Sequence, residues 1–240
     1  LAGTSIASGR WSAKRKEEIR ESRIRGTRLI AETLARMARP PRVFVSGSAV
    51  GFYGDAGDKL LTEDAPPGRG FLAEVCQAWE AAALPAQEAG IRLVHLRTGI
   101  VIAGAGGLLP RVVLPFRLGA GGKLGSGQQW MSWIALDDLL GIILIAIANE
   151  RVAGPINAVA PKPVTNHDFT EVLGRVLRRP TFARVPAFAL RLVAGQLANE
   201  LILASQRAIP AQLEAAGFQF LFPDLEQALR FELGRPGAHS

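Results

Sequence analysis

Val43-Phe44-Val45-Ser46-Gly47-Ser48 is a short apolar run that closes on small and hydroxyl-bearing residues. A run of this length, with turn residues behind it, reads as a buried parallel strand, here bounded at Arg42–Ser46. The segment before it, Ser12–Met37, is helical by pattern: Ile19, Leu29, Ile30 and Leu34 recur at helical intervals among charges. Pro40-Pro41 ends that helix. A helix feeding a buried strand is the second half of a βαβ unit. The chain opens on Leu1-Ala2-Gly3, which reads as a strand end and its turn. The expectation is that the opening strands lie upstream of Leu1, roughly 60 residues if two units of about 30 are absent.

The pattern continues along the chain. Gly54 to Gly70 is loop, Phe71–Ala89 a helix and Arg92–Arg97 a strand. Leu108–Leu118 is expected to be a short helix, and Gly119–Gly127 a flexible glycine-rich stretch. Asp138 is expected to cap an apolar helix, Leu139–Asn149, and Pro155–Val159 to form a third strand. Further helices are predicted at Asn166–Leu177, Ala187–Leu203, Gln206–Ala216 and Asp224–Leu233. Strands alternating with helices predict an α/β fold, a parallel sheet flanked by helices. After Gly104 the chain turns mostly helical. The division expected is a sheet domain over residues 1–105, with a return strand near 155–159, and a smaller lobe over 106–240.

Composition bounds the chemistry. At 240 residues and 48% hydrophobic, the chain can bury a large core. Its net charge of +7 comes mostly from scattered Arg, without the interleaved aromatics of a nucleic-acid platform, so no nucleic-acid partner is predicted. A basic bias does suit an anionic cofactor. The single Cys76 excludes an internal disulfide and fits a reducing cytoplasm. His95, His167 and His239 lack ligand spacing, so no metal site is predicted. The longest apolar run, Leu139–Ala148, is too short to span a bilayer.

Several residues could carry chemistry. Ser46-Gly47-Ser48 closes a strand, and ligands of open parallel sheets bind beyond strand carboxyl ends. The alternative is an ordinary strand-to-loop turn built of small residues. Arg97-Thr98-Gly99 ends the next strand in the same layer. Gly119, Gly122 and Gly125 have glycine-fingerprint spacing, but no strand precedes them and no strong helix follows, which favours a flexible substrate-side loop. Cys76 reads as a small core residue, Glu63-Asp64 as a solvated loop pair, and Asp168 and Glu171 as first-turn helix charges.

Taken together, these stretches resemble a known family. Ser46-Gly47-Ser48-Ala49-Val50-Gly51-Phe52-Tyr53-Gly54, Thr62-Glu63, Phe71-Leu72-Ala73-Glu74-Val75-Cys76 and Trp79-Glu80 resemble an epimerase-like, atypical branch of the extended short-chain dehydrogenase/reductases. Leu1-Ala2-Gly3, Arg10-Trp11, Ser22-Arg23-Ile24-Arg25-Gly26-Thr27, Arg97-Thr98-Gly99-Ile100-Val101, Trp133-Ile134, Gly154-Pro155-Ile156-Asn157, Gln206-Arg207 with Pro210, and Gly217-Phe218 extend the similarity in order over essentially the whole chain. The resemblance implies a Rossmann-type domain, whose glycine-rich cofactor loop lies on the family's first strand and helix, and a small C-terminal substrate lobe. It implies NADP(H) as cofactor, with NAD(H) the alternative, a small-molecule substrate and no membrane partner.

By the same resemblance, Leu1, Ala2, Glu18, Arg23, Ser46, Gly47, Thr98, Gly99 and Ile100 line the cofactor, and Ser48 takes the family's catalytic Ser position. Standard members pair that Ser with Tyr-x-x-x-Lys, in which Lys lowers the pKa of a proton-transferring Tyr. Here Phe71 and Val75 stand at those positions, and neither can transfer or tune a proton. Arg23 falls where extended members place an Asn, and Ala135 where many relatives place a His. The activity implied is redox chemistry or epimerisation on a small or nucleotide-linked substrate. The alternative is a cofactor-binding sensor or scaffold without turnover.

Overall fold

The computed structural model describes residues 3–7 and 9–235. Leu1 and Ala2 therefore lie outside the described residues. Helix α1 (Ala13–Ala35) starts at Ser12, whose hydroxyl accepts the Arg15 N–H at 3.2 Å. Ile19 and Ala31 are its buried residues, and Ala31 packs with Ala86, Ile91, Leu34 and Phe44. Strand β1 (Val43–Ala49) runs on into a 3-10 turn at Val50–Tyr53. A two-residue strand, β2 (Leu60–Leu61), follows. The expected single helix over Phe71–Ala89 is two helices, α2 (Phe71–Ala81) and α3 (Leu84–Glu88). The second begins with Pro85 in its first turn, where a missing N–H costs nothing.

Strands β3 (Arg92–Thr98) and β4 (Ile100–Ile102) are separated by Gly99 alone. A Cβ at Gly99 would lie 2.6 Å from the Ser132 carbonyl oxygen, so no larger residue fits without a shift. Then come α4 (Leu109–Arg117), β5 (Gly122–Leu124), β6 (Trp130–Met131), β7 (Trp133–Ala135), α5 (Leu136–Ala148) and β8 (Gly154–Ala158). The C-terminal third holds β9 (Val164–Thr165), α6 (Asn166–Leu177), β10 (Ala183–Val185), α7 (Ala187–Ala194), a π turn at Ala198–Ile202, β11 (Arg207–Ala208), α8 (Ala211–Ala215) and α9 (Leu225–Glu232).

The principal sheet is parallel, in the order β1-β3-β8. Period-two alternation then assigns one face to Phe44, Ser46, Ser48, His95 and Arg97, and the other to Val43, Val45, Val94 and Leu96. The second face packs into the main core with α4, α5, α6 and α9; Ile142, Leu173, Ile156 and Leu229 are fully buried there. Residues on both sides of position 105 share that core.

Four expectations need correction. Asp138 is not a helix cap: α5 begins at Leu136, and the Asp138 carboxylate is buried, accepting the Leu221 and Phe222 N–H groups at 2.7 and 3.0 Å. The glycine stretch 119–127 is ordered by pairing of β5 with β10, where a Cβ at Gly122 would overlap the Ala183 carbonyl. The segment Gln206–Ala216 is no single helix: Arg207–Ala208 pairs with Leu60–Leu61, and Pro210 delays the helix to Ala211. The expected helix 187–203 is likewise broken, at Gly195. Asp168 does serve as a first-turn acid, closing a capping box with Thr165.

Candidate functional site

The register of the three parallel strands sets Ser48, Arg97 and Asn157 side by side in one row near their carboxyl ends. Each is polar and buried. Burial of such groups demands partners, and α2 supplies the first. The Glu80 carboxylate accepts the Arg97 Nε and Nη2 protons at 2.9 and 3.0 Å, a two-pronged, charge-assisted contact. The Ser48 hydroxyl donates to the same carboxylate at 2.6 Å.

The remaining Arg97 donor, Nη1, reaches the Tyr53 hydroxyl at 3.0 Å and the Glu63 carbonyl at 2.9 Å. Its guanidinium carbon lies 3.6 Å from the centre of the Phe52 ring. The Tyr53 hydroxyl contacts Asn157 Oδ1 at 2.7 Å, and the Asn157 amide donates to the Leu61 and Ile209 carbonyls. Glu63 Oε1 accepts the Asn157 and Gln212 N–H groups, while Oε2 has no partner. The network thus ties the strand ends, the loop after β1 and the C-terminal segment together.

This corrects the reading of Glu63 as a solvated pair with Asp64: Glu63 is buried and turned inward. Burial pushes its carboxyl up from the ordinary value, against the N–H donors that hold it down. Burial also pushes up Tyr53, so the only tyrosine is a network member with its hydroxyl already committed. One layer deeper, Ser46 and His95 are register partners, and both Ser46 Oγ and His95 Nδ1 are buried without partners. Burial pushes His95 down, keeping it neutral.

The other predicted residues separate by location. Gly47 is in β1, between the two serines. Thr98 is half-buried at the end of β3, its hydroxyl donating to the Leu96 carbonyl at 3.3 Å. Gly99 and Ile100 form the step onto β4, where the Ile100 N–H donates to Ser132 O at 2.8 Å. Glu18 is exposed on α1 and pairs with Arg15 at 3.1 Å. Arg23 donates through Nη1 to the Thr4 and Ile19 carbonyls, and its guanidinium lies 5.3 Å from the centre of the Trp79 ring. The structure brings Ser46, Gly47, Ser48 and Thr98 together on adjacent strand ends, with Arg23 against the segment at Thr4. Phe71 opens α2, its ring edge-on to Trp11 at 5.1 Å, with the Lys16 ammonium 5.3 Å from its centre.

Residue-level reading of the sequence missed Glu80, Glu63 and Asn157 as network members. Its usable signal was polar residues breaking the apolar strands at one level: Ser48, Arg97 and Asn157 each stand near a strand end. Cys76 was read correctly as core; it is buried, and its thiol is pushed up to about 12 by burial first and by Glu80 second. Among the described residues no cluster of three or more metal-ligating side chains exists, and no helix is long and apolar enough to cross a membrane.

A parallel α/β sheet with polar groups gathered at its strand ends is the architecture of a Rossmann-type nucleotide-binding protein. The family described as NAD dependent epimerase/dehydratase matches residues 1–159, and a domain of unknown function, DUF1731, matches residues 185–232. The chain belongs to the NAD dependent epimerase/dehydratase family. It is 42% identical over 236 residues to an epimerase family protein of Mycobacterium leprae, covering 98% of this chain and 76% of that protein. The fold matches the crystal structure of human epimerase family protein SDR39U1 with NADPH at a TM-score of 0.92 and 33% identity, covering 98% of this chain and 80% of that one. A nucleoside-diphosphate sugar epimerase from Corynebacterium glutamicum matches at 0.79 and 43%, covering 95% of this chain and 45% of that one.

Proposed function

We propose that this chain binds NADP(H), with NAD(H) the alternative, at the carboxyl ends of β1 and β3. The observation that carries the reading is the side-by-side placement of Ser46-Gly47-Ser48 and Arg97-Thr98 on adjacent parallel strands. The similar human SDR39U1, solved with NADPH, supports the choice of cofactor. In this reading Leu1, Ala2, Glu18, Arg23, Ser46, Gly47, Thr98, Gly99 and Ile100 contact the cofactor. Residues 106–240 carry the substrate, a small or nucleotide-linked molecule, and the protein works in a reducing compartment such as the cytoplasm.

The reaction is redox chemistry or epimerisation, with Ser48 orienting the reacting group. A second reading, a cofactor-binding sensor without turnover, draws on one observation. The Ser48 hydroxyl already commits its hydrogen bond to Glu80, and Phe71 and Val75 offer no acid in its place. Calorimetric titration with NADPH, on wild type and on Arg23→Ala and Ser48→Ala, tests the placement. Arg23→Ala is expected to weaken binding more than Ser48→Ala, whose loss is about 1 kcal/mol for one hydrogen bond. Unchanged affinity in Arg23→Ala would show the cofactor placement to be wrong. NADPH oxidation with candidate carbonyl substrates then separates enzyme from sensor.

A further inference from the structure

A second polar concavity lies along α6 and shares no residue with the strand-end network. It begins with a glycine. A Cβ at Gly174 would meet Thr181 Cγ2 at 2.4 Å and the Arg179 carbonyl oxygen at 2.9 Å, so the chain leaving α6 folds tightly back across the helix. That return borders a shallow, solvent-open depression of about 460 Å³, lined by the exposed Arg175, Arg178 and Arg179 and the half-buried Thr181 among others. A groove of about 190 Å³ shares Thr181 with it and adds Lys123, His167 and Arg184.

The charges in this cleft are unbalanced. Glu171, the one carboxylate lining both spaces, lies 3.3 Å from His167, and Arg175 pairs with Glu226 at 3.1 Å, so a single acidic group stands against the cleft's remaining cations. Among the described residues, Arg178, Arg179, Lys123 and Arg184 make no salt bridge. The backbone adds an independent sign. Arg178 ends α6 at φ 55°, ψ 49°, and is the one non-glycine residue with positive φ among the described residues. Helices commonly end in this left-handed conformation, and glycine is the residue that adopts it without strain. Here a long cationic side chain is kept in a strained position, and a second arginine follows it. Strain of this kind clusters at ligand-binding positions.

We infer that this cleft binds a phosphate-bearing polyanion, a compact group with two or more phosphates. Arginine forks match phosphate oxygens with paired donors, and Lys123 and Arg184 extend the positive field along the groove. The cleft's arginines and Thr181 fall between the two family-matched segments, 1–159 and 185–232, and apart from the proposed cofactor site. The phosphates can belong to a free metabolite or to a lipid headgroup. The competing account is structural: arginines at a helix carboxyl end only complement its exposed carbonyls.

The test is calorimetric titration of the whole chain with inorganic tripolyphosphate at low salt, with thermal melts alongside. Saturable binding is expected, weakened at least about fivefold in Arg178→Gly and in Arg179→Ala, the scale of one lost charge-assisted contact. Lys14→Ala with Arg28→Ala, on α1, should leave it unchanged. Arg178→Gly should also raise the melting temperature by about 2–4 °C as the left-handed strain is relieved, so weaker binding cannot be blamed on unfolding. Absence of saturable binding to tripolyphosphate and to vesicles alike would overturn the proposal. So would affinity that survives both cleft variants, or equal loss in the α1 pair. Co-sedimentation with phosphatidylcholine vesicles carrying a phosphatidylinositol bisphosphate, lost in Arg179→Ala, would assign the phosphates to lipid. Tripolyphosphate binding without co-sedimentation would assign them to a soluble ligand. Vesicle binding untouched by Arg179→Ala would count against the cleft.

Discussion

Glu63 shows how one residue can be misread from sequence and still be open to test. It stands in a run of Gly, Asp and Pro beside Asp64, which reads as solvent-facing loop. The fold instead turns its carboxylate inward against Asn157 and Gln212, and leaves Oε2 without a donor. Nothing local encodes that turn, because both donors lie far along the chain. Burial raises the folded-state pKa of Glu63 above its unfolded value. The stability it contributes is therefore present below the unfolded pKa, near 4.3, and is lost as pH rises through the higher folded value. Glu63→Gln mimics the protonated form at every pH. Urea midpoints should show the variant gaining stability relative to wild type as pH rises above about 4.3, with the gap closing at the acid end. A gap independent of pH would mean that Glu63 titrates normally in the folded protein. Ser48, by contrast, was legible from position alone, since it closes an apolar strand; its commitment to Glu80 was not, because 32 residues separate the two.

Among the elements, those with internal periodicity could be read and those defined only by a distant partner could not. The α1 pattern of Ile19 and Leu34 among charges, and the apolar strands at 43–45 and 92–97, announce themselves locally. Two-residue strands such as Leu60–Leu61 and Arg207–Ala208 have no period to detect, and they exist because the chain returns to pair them. The glycines at 119–127 suggest looseness in the sequence, yet Gly122 is required because the Ala183 backbone lies against it. Helix α5 gives the energetic counterpart. The buried Asp138 fastens the segment at Leu221–Phe222 to α5 through two N–H groups. Asp138→Ala leaves both donors unanswered, and is expected to cost about 2–4 kcal/mol in urea or thermal unfolding. Asp138→Asn keeps one acceptor oxygen and should cost less. A loss under about 1 kcal/mol in Asp138→Ala would indicate that water replaces the carboxylate freely.

At the scale of the whole molecule, α2 seals one face of the sheet, and Cys76 lies on its inner side, 4% exposed. With its pKa near 12, only on the order of one thiol in ten thousand is ionised at pH 8, and that fraction is shielded as well. The cysteine is thereby a built-in clock for the molecule's excursions from its native shape. A thiol-specific chromogenic reagent can act only when α2 lifts from the sheet, so the rate of colour development counts those openings. It should be slow in buffer and fast in urea, and any ligand that settles on the strand ends should slow it further, in proportion to occupancy. Prompt reaction of the native protein would show that α2 moves freely, and that the Ser48–Glu80–Arg97 contact beside Cys76 does not hold it down.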